Sequence, residues 1–151
     1  MKYTTEITIG VPIEEFIQKL DNPENMKHWQ GGFIGYKQME GDLGKEGAKM
    51  ELNYQMGKRG MTLVETILKR NLPHEFHATY ETKGVCNIQK NYFKKAGVKS
   101  TRWISESEFQ FSGFMMKVFA FLMPGSFKKQ SFQYMKDFKA FAEEGKSVTE
   151  S

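Results

Sequence analysis

SFKKQSFQYMKDFKAFAEE, residues 126–144, is the stretch from which the rest of the chain is read. Phe127, Tyr134, Met135, Phe138, Phe141 and Ala142 fall on one side of a helical period, and Lys128, Lys129, Lys136 and Lys139 fall on the other. The pattern predicts a long amphipathic helix. Ser126 follows Pro124-Gly125 and is expected to cap its start, where a hydroxyl oxygen can take an orphan helix N–H. Gly145 stands where a C-terminal cap glycine belongs. One apolar stripe returns less free energy than ordering the helix consumes, so the stripe needs a broad apolar partner. The segments upstream alternate in the manner of strands, so that partner is expected to be a sheet that curls around the helix.

Moving back along the chain, residues 99–111 place Thr101, Trp103, Ser105, Ser107, Phe109 and Phe111 on one face and Arg102, Glu106, Glu108 and Gln110 on the other. Residues 85–94 form a further strand, in which Asn87 and Asn91 share parity with Val85 and Phe93. Residues 75–83 carry Phe76, Ala78 and Tyr80 on one face. Residues 61–70 end at Asn71-Leu72-Pro73, and residues 57–60 are expected to be a hairpin loop. The cleanest alternation is Ala48, Met50, Leu52, Tyr54 and Met56 against Lys49, Glu51, Asn53 and Gln55. Residues 33–40 are another strand, and residues 95–97 a turn. The N-terminal strand alternates Tyr3, Thr5, Ile7 and Ile9 with polar neighbours. Pro12 then opens a helix whose apolar stripe is Ile13, Phe16, Ile17 and Leu20, and a second short helix is expected over 23–29. Strand, two short helices, six strands and a long helix make an α+β domain with an antiparallel sheet.

The 151 residues suit one domain over 1–145, with 146–151 expected as a disordered tail. The balance of 22 basic and 18 acidic residues gives a net charge of +4 spread in pairs, which points to a solvated surface rather than a nucleic-acid face. Cys86 is the single cysteine, so a disulfide framework is excluded. The opening MKYTTEITIG lacks the apolar core of a secretory signal, and no apolar run is long enough to insert stably in a membrane; a cytoplasmic protein is expected, monomeric or weakly dimeric. Thirteen Phe and ten Met are many for this length, and such side chains fill irregular cores or line adaptable apolar pockets.

Little in the sequence points to reaction chemistry. His28, His74, His77 and Cys86 are the soft ligand candidates, but His74 and His77 have odd spacing on a strand and so face opposite ways. Neither a metal nor another cofactor is expected, and no catalytic residue is assigned. Cys86 reads as a small semi-buried thiol. Phosphate-binding loops and nucleophile-elbow motifs are absent. Glu51, Glu106 and Glu108 alternate with apolar residues and face solvent, whereas the alternation leaves Glu65 and Glu81 open. Asn87 and Asn91 are either structural amides bonded to water or backbone, or anchors for a ligand's polar end. Tyr54, Tyr80 and Trp103 each join an apolar body to a polar tip and read as core or as ligand contacts. Residues 114–123, FMMKVFAFLM, are apolar but for Lys117. They are expected to close the core, to form a lid over a cavity mouth, or to make a dimer or membrane contact.

V-P-x-E-x-F-x-x-L-D-N-P-E-N-x-x-x-W, residues 11–29, resembles the opening of the SRPBCC (START-like) superfamily, which includes pollen-allergen, polyketide-cyclase and chaperone-activator relatives. Residues 65–73, 80–87, 101–103 and 114–144 are similar in order to a bacterial subgroup of unassigned function. The resemblance implies a helix-grip fold: a seven-stranded antiparallel sheet curled around a long C-terminal helix, with two short helices after the first strand and an apolar cavity between sheet and helix. It implies a hydrophobic small molecule as partner. The cavity positions of this chain are then Trp29, Met50, Tyr54, Tyr80, Asn87, Asn91, Trp103, Phe109, Phe119, Met123, Phe127 and Met135. The leading expectation is binding or carriage of an apolar or amphipathic molecule, lipid-like or polyketide-like. The rivals are a cyclase- or hydratase-type enzyme on the same cavity, which inward-facing ionisable groups would favour, and a protein-interaction module of the chaperone-activator type.

Overall fold

The computed structural model describes residues 1–114 and 125–149. In chain order it contains β1 (Lys2–Ile9), α1 (Ile13–Leu20), a single 3-10 turn (Pro23–Asn25), α2 (Met26–Trp29), β2 (Phe33–Glu40), β3 (Lys49–Met56), β4 (Arg59–Asn71), β5 (Glu75–Thr82), β6 (Val85–Gly97) and β7 (Ser100–Phe111). The helix α3 (Gly125–Glu144) follows. The seven strands form one antiparallel sheet in the order β1-β7-β6-β5-β4-β3-β2. β2 to β7 are therefore a meander of neighbours, and the first strand joins at the far edge, where Tyr3 pairs with Ser107 and Ile9 with Thr101. The helix-grip architecture implied by the resemblance is the one observed.

α3 lies against β1 and α2. Met135, Phe138 and Ala142 are its buried residues, spaced three and four apart as one inward stripe. Phe138 is fully buried, with its ring centroid 5.1 Å from Phe16, 5.3 Å from Trp29 and 5.6 Å from Trp103. These rings, with Phe93, Ile9 and Val11, form the main core at one end of the sheet. Their tilted and edge-on contacts are the arrangements aromatic quadrupoles prefer. A second apolar group, Met50, Leu52 and Tyr54 with Met61, Leu63 and Tyr80 packed on it, lies on β3 and its neighbours.

Several local expectations are corrected. Phe141 belongs to the apolar side of α3 but turns from the sheet towards α2, where it stacks on His28 at 5.2 Å; one turn from Phe138 it is rotated off the buried stripe. Gly125 is already helical, so Ser126 lies inside the helix rather than capping it. The loop over 57–60 is a tight turn of Gly57-Lys58, with Met56 and Arg59 already paired and Gly57 at φ +64°. That left-handed conformation matches the twist of a two-residue hairpin. The turn expected at 95–97 falls instead on Val98-Lys99, because β6 continues to Gly97. Residues 146–149, expected as a free tail, bend back: Ser147 Oγ meets His28 Nδ1 at 2.9 Å, and the Val148 N–H donates to the His28 carbonyl at 3.0 Å. Residues 150 and 151 lie outside the described residues. Gly145 is the predicted cap, at φ +69° with its N–H bonded to the Phe141 carbonyl at 2.9 Å.

Candidate functional site

The inner face of the sheet meets the main core only at the end occupied by α1, α2 and the second half of α3. Between that end and the start of α3, where Phe127 packs on Phe109 with ring centroids 4.7 Å apart, sheet and helix enclose a cavity of about 580 Å³. Strand parity decides what reaches it. β3 contributes Met50, Leu52 and Tyr54; β4 contributes Met61, Leu63, Glu65 and Ile67; β5 contributes Phe76 and Tyr80. β6 presents Val85, Asn87, Gln89, Asn91 and Phe93 in strict alternation. A β-bulge between Ile67 and Lys69 shifts the parity of β4, which is how Arg70 comes to the wall as well. Leu43, 54% exposed, and Met56, 40% exposed, mark where the lining approaches solvent.

Two kinds of wall face each other. Towards β3 and β4 the lining is methionine, leucine and tyrosine. Towards β6, β7 and β1 polar side chains are interleaved with Val85, Phe93, Trp103 and Phe109, and most of the polar ones bond to one another. The Asn87 amide donates to Ser107 Oγ at 2.8 Å and to the Glu108 carbonyl at 3.2 Å, and the Gln89 amide donates to Asn87 Oδ1 at 2.7 Å. Trp103 Nε1 donates to Asn91 Oδ1 at 3.0 Å. On the helix side, the hydroxyls of Tyr3 and Ser131 are 2.7 Å apart. The Tyr54 hydroxyl donates to Gln30 Oε1 at 2.7 Å. Thr5 Oγ1 and Trp29 Nε1 are buried without a hydrogen-bond partner among the described residues.

Glu65 is the chemically unusual liner. It sits mid-strand on β4, opposite Met50 on β3 and opposite Tyr80 on β5, and Tyr80 in turn faces Asn87 on β6. The side chain is half-buried with its open surface on the cavity. Burial pushes its carboxyl above the ordinary range; the Tyr80 hydroxyl pulls it partly back, and the charge of Asp21 adds to the rise. The same desolvation drives the Tyr54 and Tyr80 phenols upward, with the Tyr134 charge acting on Tyr54 and the Glu65 charge on both. Arg70 is forked onto Asp21 through two bonds of 2.7 and 2.6 Å, a bidentate pair at the cavity wall.

Each cavity position expected from the sequence that falls within the described residues lines this one space: Trp29, Met50, Tyr54, Tyr80, Asn87, Asn91, Trp103, Phe109, Phe127 and Met135. Phe119 and Met123 lie outside the described residues, as does most of the 114–123 segment. Trp103 and Trp29 serve the aromatic core as well as the cavity. Sequence reading did not assign Glu65, Asp21, Arg70 or Gln89. Glu65 was legible, since it shares parity with Met61 and Leu63, but Val64 and Leu68 put apolar residues on the outer face too and blurred the alternation. Glu81 is exposed, opposite Cys86 on the outer face. Burial and the charges of Glu81 and Glu108 raise the Cys86 thiol, the reverse of what a reactive thiolate needs. Among the described residues no group of three His, Cys, Asp or Glu side chains could hold a metal ion, and no helix is long and apolar enough to cross a membrane.

No family model and no curated protein matches the chain. Solved structures do, at low identity. A conserved protein from Geobacillus kaustophilus superposes with a TM-score of 0.78 at 12% identity, over 97% of each chain. Major latex-like protein 151 from Panax ginseng gives 0.74 at 12%, covering 95% of this chain and 97% of its own. A point mutant of norcoclaurine synthase from Thalictrum, in complex with a transition-state analogue, gives 0.68 at 12%, covering 96% and 95%. The likeness is one of fold and spans nearly the whole chain.

Proposed function

We propose that the protein binds or carries an apolar or amphipathic small molecule in the cavity between its sheet and α3. The carrying observation is the cavity itself, about 580 Å³ in size, in a domain whose aromatic core is already complete beside it. That volume lies within the range of about 300 to 1,000 Å³ common to small-molecule sites, and its mix of apolar surface with a few placed polar groups is their usual composition. The predicted positions from Trp29 to Met135 are the proposed contacts, with Asn87 and Asn91 beside the ligand's polar end. A likeness in fold to a norcoclaurine synthase that holds a transition-state analogue is consistent with this reading. The test is titration of the native protein with the neutral fluorophore N-phenylnaphthylamine. Saturable binding with near-UV dichroism intact is expected. Fluorescence that rises only once that dichroism is lost would mean that the space is not a binding site.

A second reading, cyclase- or hydratase-type catalysis in the same cavity, draws on Glu65. An inward carboxyl with a raised proton affinity, next to a phenol, is a proton-transfer group within reach of whatever fills the space. Molecules extracted from the parent protein and from Glu65→Gln, compared by mass and by proton NMR spectrum, test it. A difference by the elements of water or by a proton shift is expected; identical contents would remove the catalytic reading. The interaction-module reading finds less support. Among the described residues the large exposed apolar side chains are scattered over Met1, β2, the 41–47 turn, the end of β3, β4, the Val98 turn, Phe114, α3 and Val148.

A further inference from the structure

The distribution of charge around the cavity carries an inference of its own, which rests on the binding reading above. Among the described lining residues the ionisable carboxyls are Glu65 and Asp21, the one permanent cation is Arg70, and no Lys or His side chain is present. Arg70 is committed to Asp21 by both arms of its guanidinium. That pair is neutral as a unit and sits at the edge of the space. Glu65 forms no ion pair among the described residues, and it stands in the middle of the wall. The interior therefore offers one unneutralised carboxyl and no free cation among the described residues.

Aromatic faces reinforce the same sign. Tyr80 stands directly across the ladder from Glu65, Tyr54 projects from β3, and Tyr134 projects from α3. Ring faces attract ammonium groups and repel anions, most strongly where water is excluded. The amides across the cavity do not reverse this: Asn87 donates to Ser107 Oγ and to the Glu108 carbonyl, Gln89 donates to Asn87 Oδ1, and neither side chain carries a charge. Neutral hydroxyls such as Thr5 and Ser105 can hydrogen-bond an anion, but they cannot balance its charge.

We propose that the cavity selects its ligand by charge, seating amphipathic molecules whose polar end is a protonated amine against Glu65 among the tyrosine rings, and turning away carboxylates such as fatty acids. A carboxylate brought beside Glu65 must either meet a like charge or take up a proton. An ammonium supplies the missing counter-charge. Where Glu65 is protonated, the exchange is balanced: the carboxyl releases its proton to solvent and the ligand's ammonium takes the vacated position, with no bond to carbon made or broken. The groups facing Glu65 during this exchange are Tyr80 from β5, Tyr54 from β3, Asp21 after α1 with its partner Arg70, and Tyr134 from α3. The carboxyl is pushed up by burial and by Asp21 and held back by Tyr80, so amine affinity weakens in acid.

The experiment is displacement of N-phenylnaphthylamine from the folded chain by decylamine, decanol and decanoate, three ligands with one hydrocarbon tail. At neutral pH decylamine is expected to bind at least about tenfold more tightly than decanoate, with decanol between them. In Glu65→Gln the gap between decylamine and decanoate should shrink to within about threefold. Asp21→Ala, a change at an exposed site, frees the Arg70 guanidinium and should strengthen decanoate relative to decanol. If neither the fluorophore nor decanol binds the parent, the binding reading falls and this inference with it. If both bind but decanoate rivals decylamine, the charge selection alone is wrong. An amine preference that survives Glu65→Gln also overturns it. Should Glu65→Gln not fold, decanoate affinity unchanged by Asp21→Ala overturns the proposal.

Discussion

Replacing Phe138 with alanine measures how firmly the helix is gripped. The side chain is fully buried and touches rings from three different elements, Phe16 of α1, Trp29 of α2 and Trp103 of β7, with centroids between 5.1 and 5.6 Å. Truncation removes the whole ring from a site whose neighbours are held by the sheet and by two helices, so collapse into the void is limited. Phe→Ala changes of this kind cost about 3 to 5 kcal/mol. Each edge-on ring pair that Phe138 makes is worth about 0.5 to 1.5 kcal/mol beyond area, which places the expectation in the upper half of that range. Urea unfolding followed by tryptophan fluorescence is a suitable assay, because Trp29 and Trp103 both adjoin the site; the midpoint should fall while the slope stays constant. Phe132, on the exposed side of the same helix and 37% accessible, is the internal control and should lose no more than about 0.5 kcal/mol when truncated. A loss below about 1 kcal/mol at Phe138 would show that the helix does not present this face to the core, and the whole arrangement of α1, α2 and α3 would need redrawing.

Glu65→Gln should stabilise the protein near neutral pH. The folded carboxyl is raised above the ordinary value of 4.5, so the unfolded chain loses that proton first and parent stability declines as pH rises from there through the folded value. The advantage of the variant should vanish below about pH 4, and chemical denaturation across that window reads it; no gain at neutral pH would mean that the carboxyl is not desolvated. Asn87→Leu strands the Gln89 amide and Ser107, and Asn91→Leu strands the Trp103 indole N–H, so each should lose about 1 to 3 kcal/mol by thermal unfolding. Both should weaken decanol more than a plain hydrocarbon, and equal weakening would remove the amides from the site. Glu143→Ala cuts the 2.8 Å bond from the Gly10 N–H and the pair with Lys139, and a loss of about 0.5 to 1 kcal/mol is expected at this exposed position.

Much of this architecture is legible in the sequence because alternation is a strong signal wherever one face of a strand is wet. The clean case is β3, where Met50, Leu52 and Tyr54 are buried and their neighbours are not. The amphipathic stripe of α3 told which side is buried but not what each residue meets; Met135 and Phe138 face the core, whereas Phe141 finds His28. Period identifies a face, and only packing identifies the neighbour. β4 was harder for a further reason. Its outer face carries Val64 and Leu68, which blur the alternation around Glu65, and its bulge changes parity after Ile67, so Arg70 could not be placed by counting. The Arg70–Asp21 fork joins residues 49 apart in sequence, a pairing that no local pattern announces.

The sheet order has a consequence for how the chain is made. Of the seven strands β1 leaves the ribosome before the others, yet its partner is β7, so the contact between Lys2 and Glu108 spans most of the sheet's sequence. The meander from β2 to β7 can assemble as it emerges, each strand finding the one before it, but its last edge stays bare until the N-terminal segment returns to cover it. α3 arrives later still and rests on β1. Until then the inner face of the growing sheet, methionines and aromatics included, has nothing to grip. Non-local closure of this kind slows folding and leaves apolar surface exposed in the interval. Nascent chains stalled after β7 but before α3 should therefore be held by chaperones more strongly than chains of full length.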